Sequence, residues 1–156
     1  MSKMEKILLV ALEMEKQARD FYEDQARRAA PGPVKSTLEW LSRWEKEHVD
    51  LIERHLEEGG EDVTAPEETS PPAPDFPSQA DPARAASELT VLRRAMNLEM
   101  DARKFYQAAA DKVEDPKEKK FFKWLAGWEE RHWNLLDRHY RELSREYWNE
   151  AGFSPF

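Results

Sequence analysis

The sequence predicts an all-α four-helix bundle, built from two repeated helical hairpins joined by a long crossover linker. Three observations predict it. Apolar residues recur at helical spacing in four separate stretches. Residues 92–140 repeat residues 8–56 without a gap, at a constant offset of 84, and 17 of 49 aligned positions are identical. A shared helical pattern accounts for part of that identity, but not for rare side chains falling in register: Tyr22 with Tyr106, Trp40 with Trp124, Trp44 with Trp128 and His55 with His139. Finally, a proline-rich stretch separates the two copies.

Helix 1 opens at Ser2, with Glu5 three residues on, the pattern of a capping box. Leu8, Ala11, Leu12, Ala18, Tyr22 and Ala26 keep helical spacing to about Ala30. Pro31-Gly32-Pro33 breaks the chain, and Pro33 suits the first turn of helix 2. Helix 2 runs to about Glu58 and stops at Gly59-Gly60. Residues 59–80 hold five prolines among glycine, serine, threonine and acids, which makes an extended linker. Asp81-Pro82 starts helix 3, which reaches about Val113. Asp115-Pro116 with Glu118 starts helix 4, which continues to about Trp148.

The domain reading is one bundle over 1–148, with hairpins at 2–58 and 81–148, followed by an aromatic tail at 149–156. A helix of about 24 residues is roughly 36 Å long, and a linker of this length covers that distance when extended. Helix 3 is therefore expected to run parallel to helix 2, as in bundles with one long crossover.

Composition narrows the chemistry. The net charge of −8 argues against nucleic acid and anionic membrane surfaces as partners. The chain has no cysteine, which excludes disulfides, zinc–thiolate sites, iron–sulfur clusters and a catalytic thiol. The early apolar run, Ile7 to Leu12, is short and breaks into charge, so neither a signal peptide nor a membrane span is expected, and a cytoplasmic location is.

The doubled motif carries the chemistry. Glu15 is followed 30 residues later by Glu45-x-x-His48, and Glu99 by Glu129-x-x-His132 at the same distance. Glu15 and Glu45 lie equally far from the hairpin tip near Ala30, so at about 1.5 Å per residue both sit roughly 22 Å above the turn. Glu99 and Glu129 flank Glu114 in the same way. Each His is one turn from its Glu on the same face. The six side chains therefore converge at mid-bundle, the ligand set of a two-metal site. Four ionised carboxylates alone would repel each other and lose hydration, at several kcal/mol per ion. Two divalent cations cancel that charge. Carboxylates with two imidazoles favour iron or manganese.

Taken together, E-K-Q-A-R-D-F-Y (15–22) with W-E-K-E-H (44–48), and E-M-D-A-R-K-F-Y (99–106) with W-E-E-R-H (128–132), resemble the rubrerythrin-like branch of the ferritin-like di-iron carboxylate proteins. The resemblance spans both hairpins, about residues 5–140. It implies a ferritin-like bundle, two iron ions per chain (manganese or mixed metal being the alternative), and Glu15, Glu45, His48, Glu99, Glu129 and His132 as ligands, with Glu45 and Glu129 as the bridges. It further implies an oxidoreductase reacting ferrous iron with hydrogen peroxide or dioxygen, as peroxidase or ferroxidase. The alternatives are an iron-binding or storage module, a cargo of a storage compartment, and a structural bundle with a vestigial site. A homodimer or higher homo-oligomer is also expected. Where rubrerythrins proper carry a further Glu on the third helix, this chain has Ala102, matched by Ala18, and it lacks their cysteine-rich iron domain. Any electrons are therefore expected to come from ferrous iron itself or from a separate donor.

Neighbouring residues have two readings each. Tyr22 and Tyr106 either orient a Glu ligand across the bundle or are core tyrosines bonded elsewhere. Ala18 and Ala102 either leave room beside the metals or allow close helix packing. The four Trp at 40, 44, 124 and 128 flank the paired ligands, as packing or dimer contacts, as a shield, or as an outward route for an electron. His55 and His139 are too far along the axis to join the same metal pair and are expected as satisfied, partly buried histidines. The tail aromatics either pack back on the bundle or insert into a partner.

Overall fold

In the computed structural model, residues 1–59, 82–150 and 152 are described. They form four helices: α1 Lys3–Arg28, α2 Pro33–Glu58, α3 Pro82–Lys112 and α4 Pro116–Glu150. Apart from Gly59, the linker at 59–80 lies outside the described residues, as do Asp81 and most of the tail at 149–156. No described helix is long and apolar enough to cross a membrane.

Local chemistry sets the helix ends. The Ser2 hydroxyl accepts from the Glu5 backbone N–H at 3.0 Å, and the Ser2 N–H donates to the Glu5 carboxylate at 2.9 Å, so two otherwise unsatisfied donors are capped. Between α1 and α2, Gly32 takes a φ of 150° and Pro33 supplies the first helical residue. Only a glycine suits that backbone, and a Cβ there would stand 2.9 Å from the Arg84 guanidinium. Gly59 ends α2 in the left-handed conformation, φ 77°. At the second hairpin tip the Asp115 carboxylate accepts from the Lys117 N–H at 2.8 Å. One tie recurs in both copies: Lys35 donates to the Ala26 carbonyl at 2.6 Å, and Lys119 to the Ala110 carbonyl at 2.9 Å. Each lysine pins the start of the second helix of its hairpin to the end of the first.

Long-range contacts fix the helix directions. Arg84, in the first turn of α3, donates to the Pro31 carbonyl at the α1–α2 tip, at 2.9 Å. At the opposite end, Lys3 donates to the Lys112 carbonyl at 3.3 Å. So α3 runs antiparallel to α1 and hence parallel to α2, the direction expected from the linker's length. The chain leaves α2 at one end of the bundle and enters α3 at the other.

The interior has three levels. One apolar cluster, near the α1 N-terminus, includes Leu8, Leu51, Ile52, Phe122 and Leu125. The other, toward the α1–α2 tip, includes Leu38, Leu41, Leu92, Leu135 and Leu136. Burying each such side chain contributes about 1.5–3 kcal/mol. Between them lies a polar layer of Glu15, Glu45, His48, Glu99, Glu129 and His132, each at most 2% exposed. The two clusters supply the stability that holds this charged layer out of water.

Candidate metal centre

Each helix of the bundle places one Glu in the polar layer, and α2 and α4 add a His one turn on. The structure brings the six residues singled out by spacing into two groups. Glu15, Glu45, His48 and Glu129 form one; Glu45, Glu99, Glu129 and His132 form the other. Within each group the available donor atoms lie within 4.8 Å of one another.

The two groups share Glu45 and Glu129, and the sharing is atom by atom. His48 Nδ1 faces Glu15 Oε2, Glu45 Oε2 and Glu129 Oε1, each at 3.6 Å. His132 Nδ1 faces Glu99 Oε2 at 3.5 Å, and Glu45 Oε1 and Glu129 Oε2 at 3.8 Å. Glu45 and Glu129 thus each turn one oxygen to either group. The two imidazole rings lie nearly parallel, 5.4 Å apart.

Two tyrosines fix the outer carboxylates. Tyr22 Oη on α1 donates to Glu99 Oε1 on α3 at 2.6 Å, and Tyr106 Oη on α3 donates to Glu15 Oε1 on α1 at 2.5 Å. Both rings are fully buried. Burial, then the carboxylate each one meets, pushes both phenols well above their ordinary pKa, so they remain donors.

The four carboxylates divide into two classes. Burial, then the charges of Glu15 and Glu99, pushes Glu45 and Glu129 well above the ordinary carboxylate range. Burial acts on Glu15 in the same sense, but the bonds from Glu45, His48 and Tyr106 outweigh it and hold Glu15 below that range. Glu99 is lowered likewise by Glu129, His132 and Tyr22. With protein groups alone, the shared pair is therefore shifted toward the protonated form and the outer pair toward the ionised one.

The donor set fits two divalent ions. Glu45 Oε2, Glu99 Oε2 and Glu129 Oε1 are buried without a hydrogen-bond partner. Such acceptors cost about 1–3 kcal/mol each, more when charged, and a cation would satisfy them. Oxygen ligands with two imidazoles, and no thiolate, match a carboxylate-rich metal pair.

A cavity of about 20 Å³ adjoins the carboxylates between α1 and α3, walled by Met14 and Ala18 on one side and Leu98 and Ala102 on the other. That volume holds about one water-sized molecule. The alanines leave this space.

A family model described as Rubrerythrin matches residues 6–140. The chain belongs to the rubrerythrin family. A solved structure of a hypothetical protein from Pyrococcus furiosus shares the fold of this rubrerythrin-family chain. It aligns at a TM-score of 0.70 and 25% identity, over 92% of this chain and 91% of that one. No curated protein matches.

Some contacts around this rubrerythrin-family site escape sequence reasoning. The tryptophans do more than flank the ligands: Trp128 lies face to face with His48, with ring centroids 4.2 Å apart and 16° between planes, and Trp40 meets His132 edge-on at 5.6 Å. His139 is fully buried, and its Nδ1 lies 2.7 Å from the Thr37 hydroxyl. His55 stacks on Phe121 at 4.8 Å, and its Nδ1 is buried without a hydrogen-bond partner, so that nitrogen is not satisfied as expected. Burial holds its pKa below the ordinary value. The cause lies in the repeat itself. Phe121 occupies the position of Thr37, so the second copy offers His55 a ring where the first offers His139 a hydroxyl.

Proposed function

We propose that this rubrerythrin-family chain is a di-iron carboxylate oxidoreductase, reacting ferrous iron with hydrogen peroxide or dioxygen in oxidative-stress defence or iron handling in the cytoplasm. The observation that carries the reading is the pair of overlapping Glu₃His groups sharing Glu45 and Glu129. Glu15 and His48 would hold one ion, Glu99 and His132 the other, and Glu45 and Glu129 would span both. Two iron ions held there would supply Lewis acidity and one electron each for reduction of an O–O bond.

The chain's own groups have distinct tasks. Tyr22 and Tyr106 orient Glu99 and Glu15 and keep a proton at each phenolic oxygen, beside the carboxylates. Glu45 and Glu129, raised in pKa by burial and by Glu15 and Glu99, would give up any proton they hold to solvent on binding a cation. The apolar clusters above and below exclude bulk water from the layer. The cavity beside Ala18 and Ala102 has room for a small oxidant.

The test is to load the apo-protein anaerobically with ferrous iron, mix it with peroxide or dioxygen, and follow ferric absorbance. Two irons per chain with fast peroxide turnover supports a peroxidase. Rapid dioxygen consumption followed by iron release supports a ferroxidase. Metal binding no greater than that of a Glu45→Ala, Glu129→Ala double variant would refute the di-iron reading.

A further inference from the structure

We propose that Trp128 and Trp124 form an electron route between the metal pair and the α4 surface, serving a bulky one-electron donor. The proposal rests on the di-iron reading above and adds to it the place where electrons cross the protein. Trp128 is 1% exposed and stacks on His48, whose Nδ1 faces three carboxylates of the polar layer. Of its two neighbouring indoles, Trp124 is the nearer, with ring centroids 4.0 Å apart, against 6.0 Å for Trp44. Trp124 is half-buried and reaches the molecular surface. Two ring contacts thus connect the inner layer to solvent.

The route runs through α4 side chains, none of which lines the cavity apart from the ligand Glu129. The cavity, between α1 and α3, holds about one water-sized molecule, so a bulky reductant cannot reach the metals through it. A small oxidant and a large electron donor would therefore meet the site from separate directions. The two imidazoles also differ: His48 has a face-stacked indole, whereas His132 has the edge of Trp40. The route consequently favours the ion held by Glu15 and His48. Each passage takes one electron from the donor, which is oxidised by one electron, and converts one ferric ion to ferrous. No bond is made or broken in the rings, and two passages reset the pair.

The experiment compares wild type, Trp124→Phe, Trp128→Phe and, as a distant control, Trp148→Phe. For each, iron stoichiometry and thermal melting are measured first. The ferric proteins are then mixed anaerobically with reduced methyl viologen, and the loss of ferric absorbance is timed. The route predicts reduction slowed several-fold in Trp124→Phe and Trp128→Phe, with stoichiometry unchanged and Trp148→Phe like wild type. It also predicts that cobalt(II) binding quenches indole fluorescence less in Trp128→Phe, a readout independent of turnover. Should Trp128→Phe fail to fold, half-buried Trp124 carries the kinetic test. Wild-type reduction rates in iron-loaded Trp124→Phe would overturn the route and leave the di-iron reading standing. Absence of bound iron in the wild type would overturn both.

Discussion

The Tyr22 hydroxyl on α1 is bonded to the Glu99 carboxylate on α3 within the polar layer, at 2.6 Å. The bond joins the two halves of the chain and aims a carboxylate at His132. Tyr22→Phe removes the donor and leaves Glu99 Oε1 buried without it. The expected loss of stability is about 1–3 kcal/mol, read from denaturant melts of the metal-free protein. Metal affinity at the Glu99 and His132 position should fall about 10–100-fold, as calorimetric titration would show. Unchanged affinity would mean that Glu99 is oriented by something other than Tyr22.

The shared carboxylates predict a graded loss of metal. Glu45 and Glu129 each contribute an oxygen to both groups, while Glu15 belongs to one. Glu45→Ala should abolish binding of both ions, and Glu15→Ala should leave one ion bound. Metal content by elemental analysis separates the two outcomes. Equal losses in both variants would contradict the division into two groups.

Stability without metal should fall as pH rises. Glu45 and Glu129 have folded pKa values raised well above the ordinary 4.5. Above that value an unfolded chain has lost protons that the fold still holds, so each group costs up to about 1.4 kcal/mol per pH unit until its folded pKa is passed. Glu15 and Glu99 have lowered values, so their contribution changes only below pH 4.5. The apo-protein's melting temperature should therefore drop as pH rises above about 5 (about 1.4 kcal/mol per unit and group at most), and bound metal should flatten the profile. A flat apo profile in calorimetry would show that the shared pair is ionised without metal.

Glu45→Gln gives the converse. A neutral amide mimics the protonated carboxyl, so the variant should melt at or above the wild-type temperature without metal at neutral pH, yet bind metal poorly. Destabilisation of the metal-free variant would argue that Glu45 is charged in the resting fold.

Much of this was legible in the sequence because helical spacing is nearly linear. Equal distances from the hairpin tips brought Glu15, Glu45, Glu99 and Glu129 to one level, and the capping box at Ser2 fixed the first helix end. The contacts that sequence reasoning missed depend on rotation about helix axes and on rotamers, which spacing does not specify. Trp128 and Trp44 hold equivalent positions, yet only the structure reveals that Trp128 stacks on His48. Thr37 reaches His139 from a different helix, and no local pattern links residues 102 positions apart.

The matched lysine ties, Lys35 to Ala26 and Lys119 to Ala110, show the same hairpin built twice. Each metal group takes members from both hairpins, so the chain is in effect a symmetric dimer with its subunits fused. Identical subunits must accept every substitution in duplicate. Fusion removes that constraint: one side has Thr37 where the other has Phe121. One half of such a molecule can specialise in handling electrons while the other packs differently, an asymmetry unavailable to a pair of identical chains.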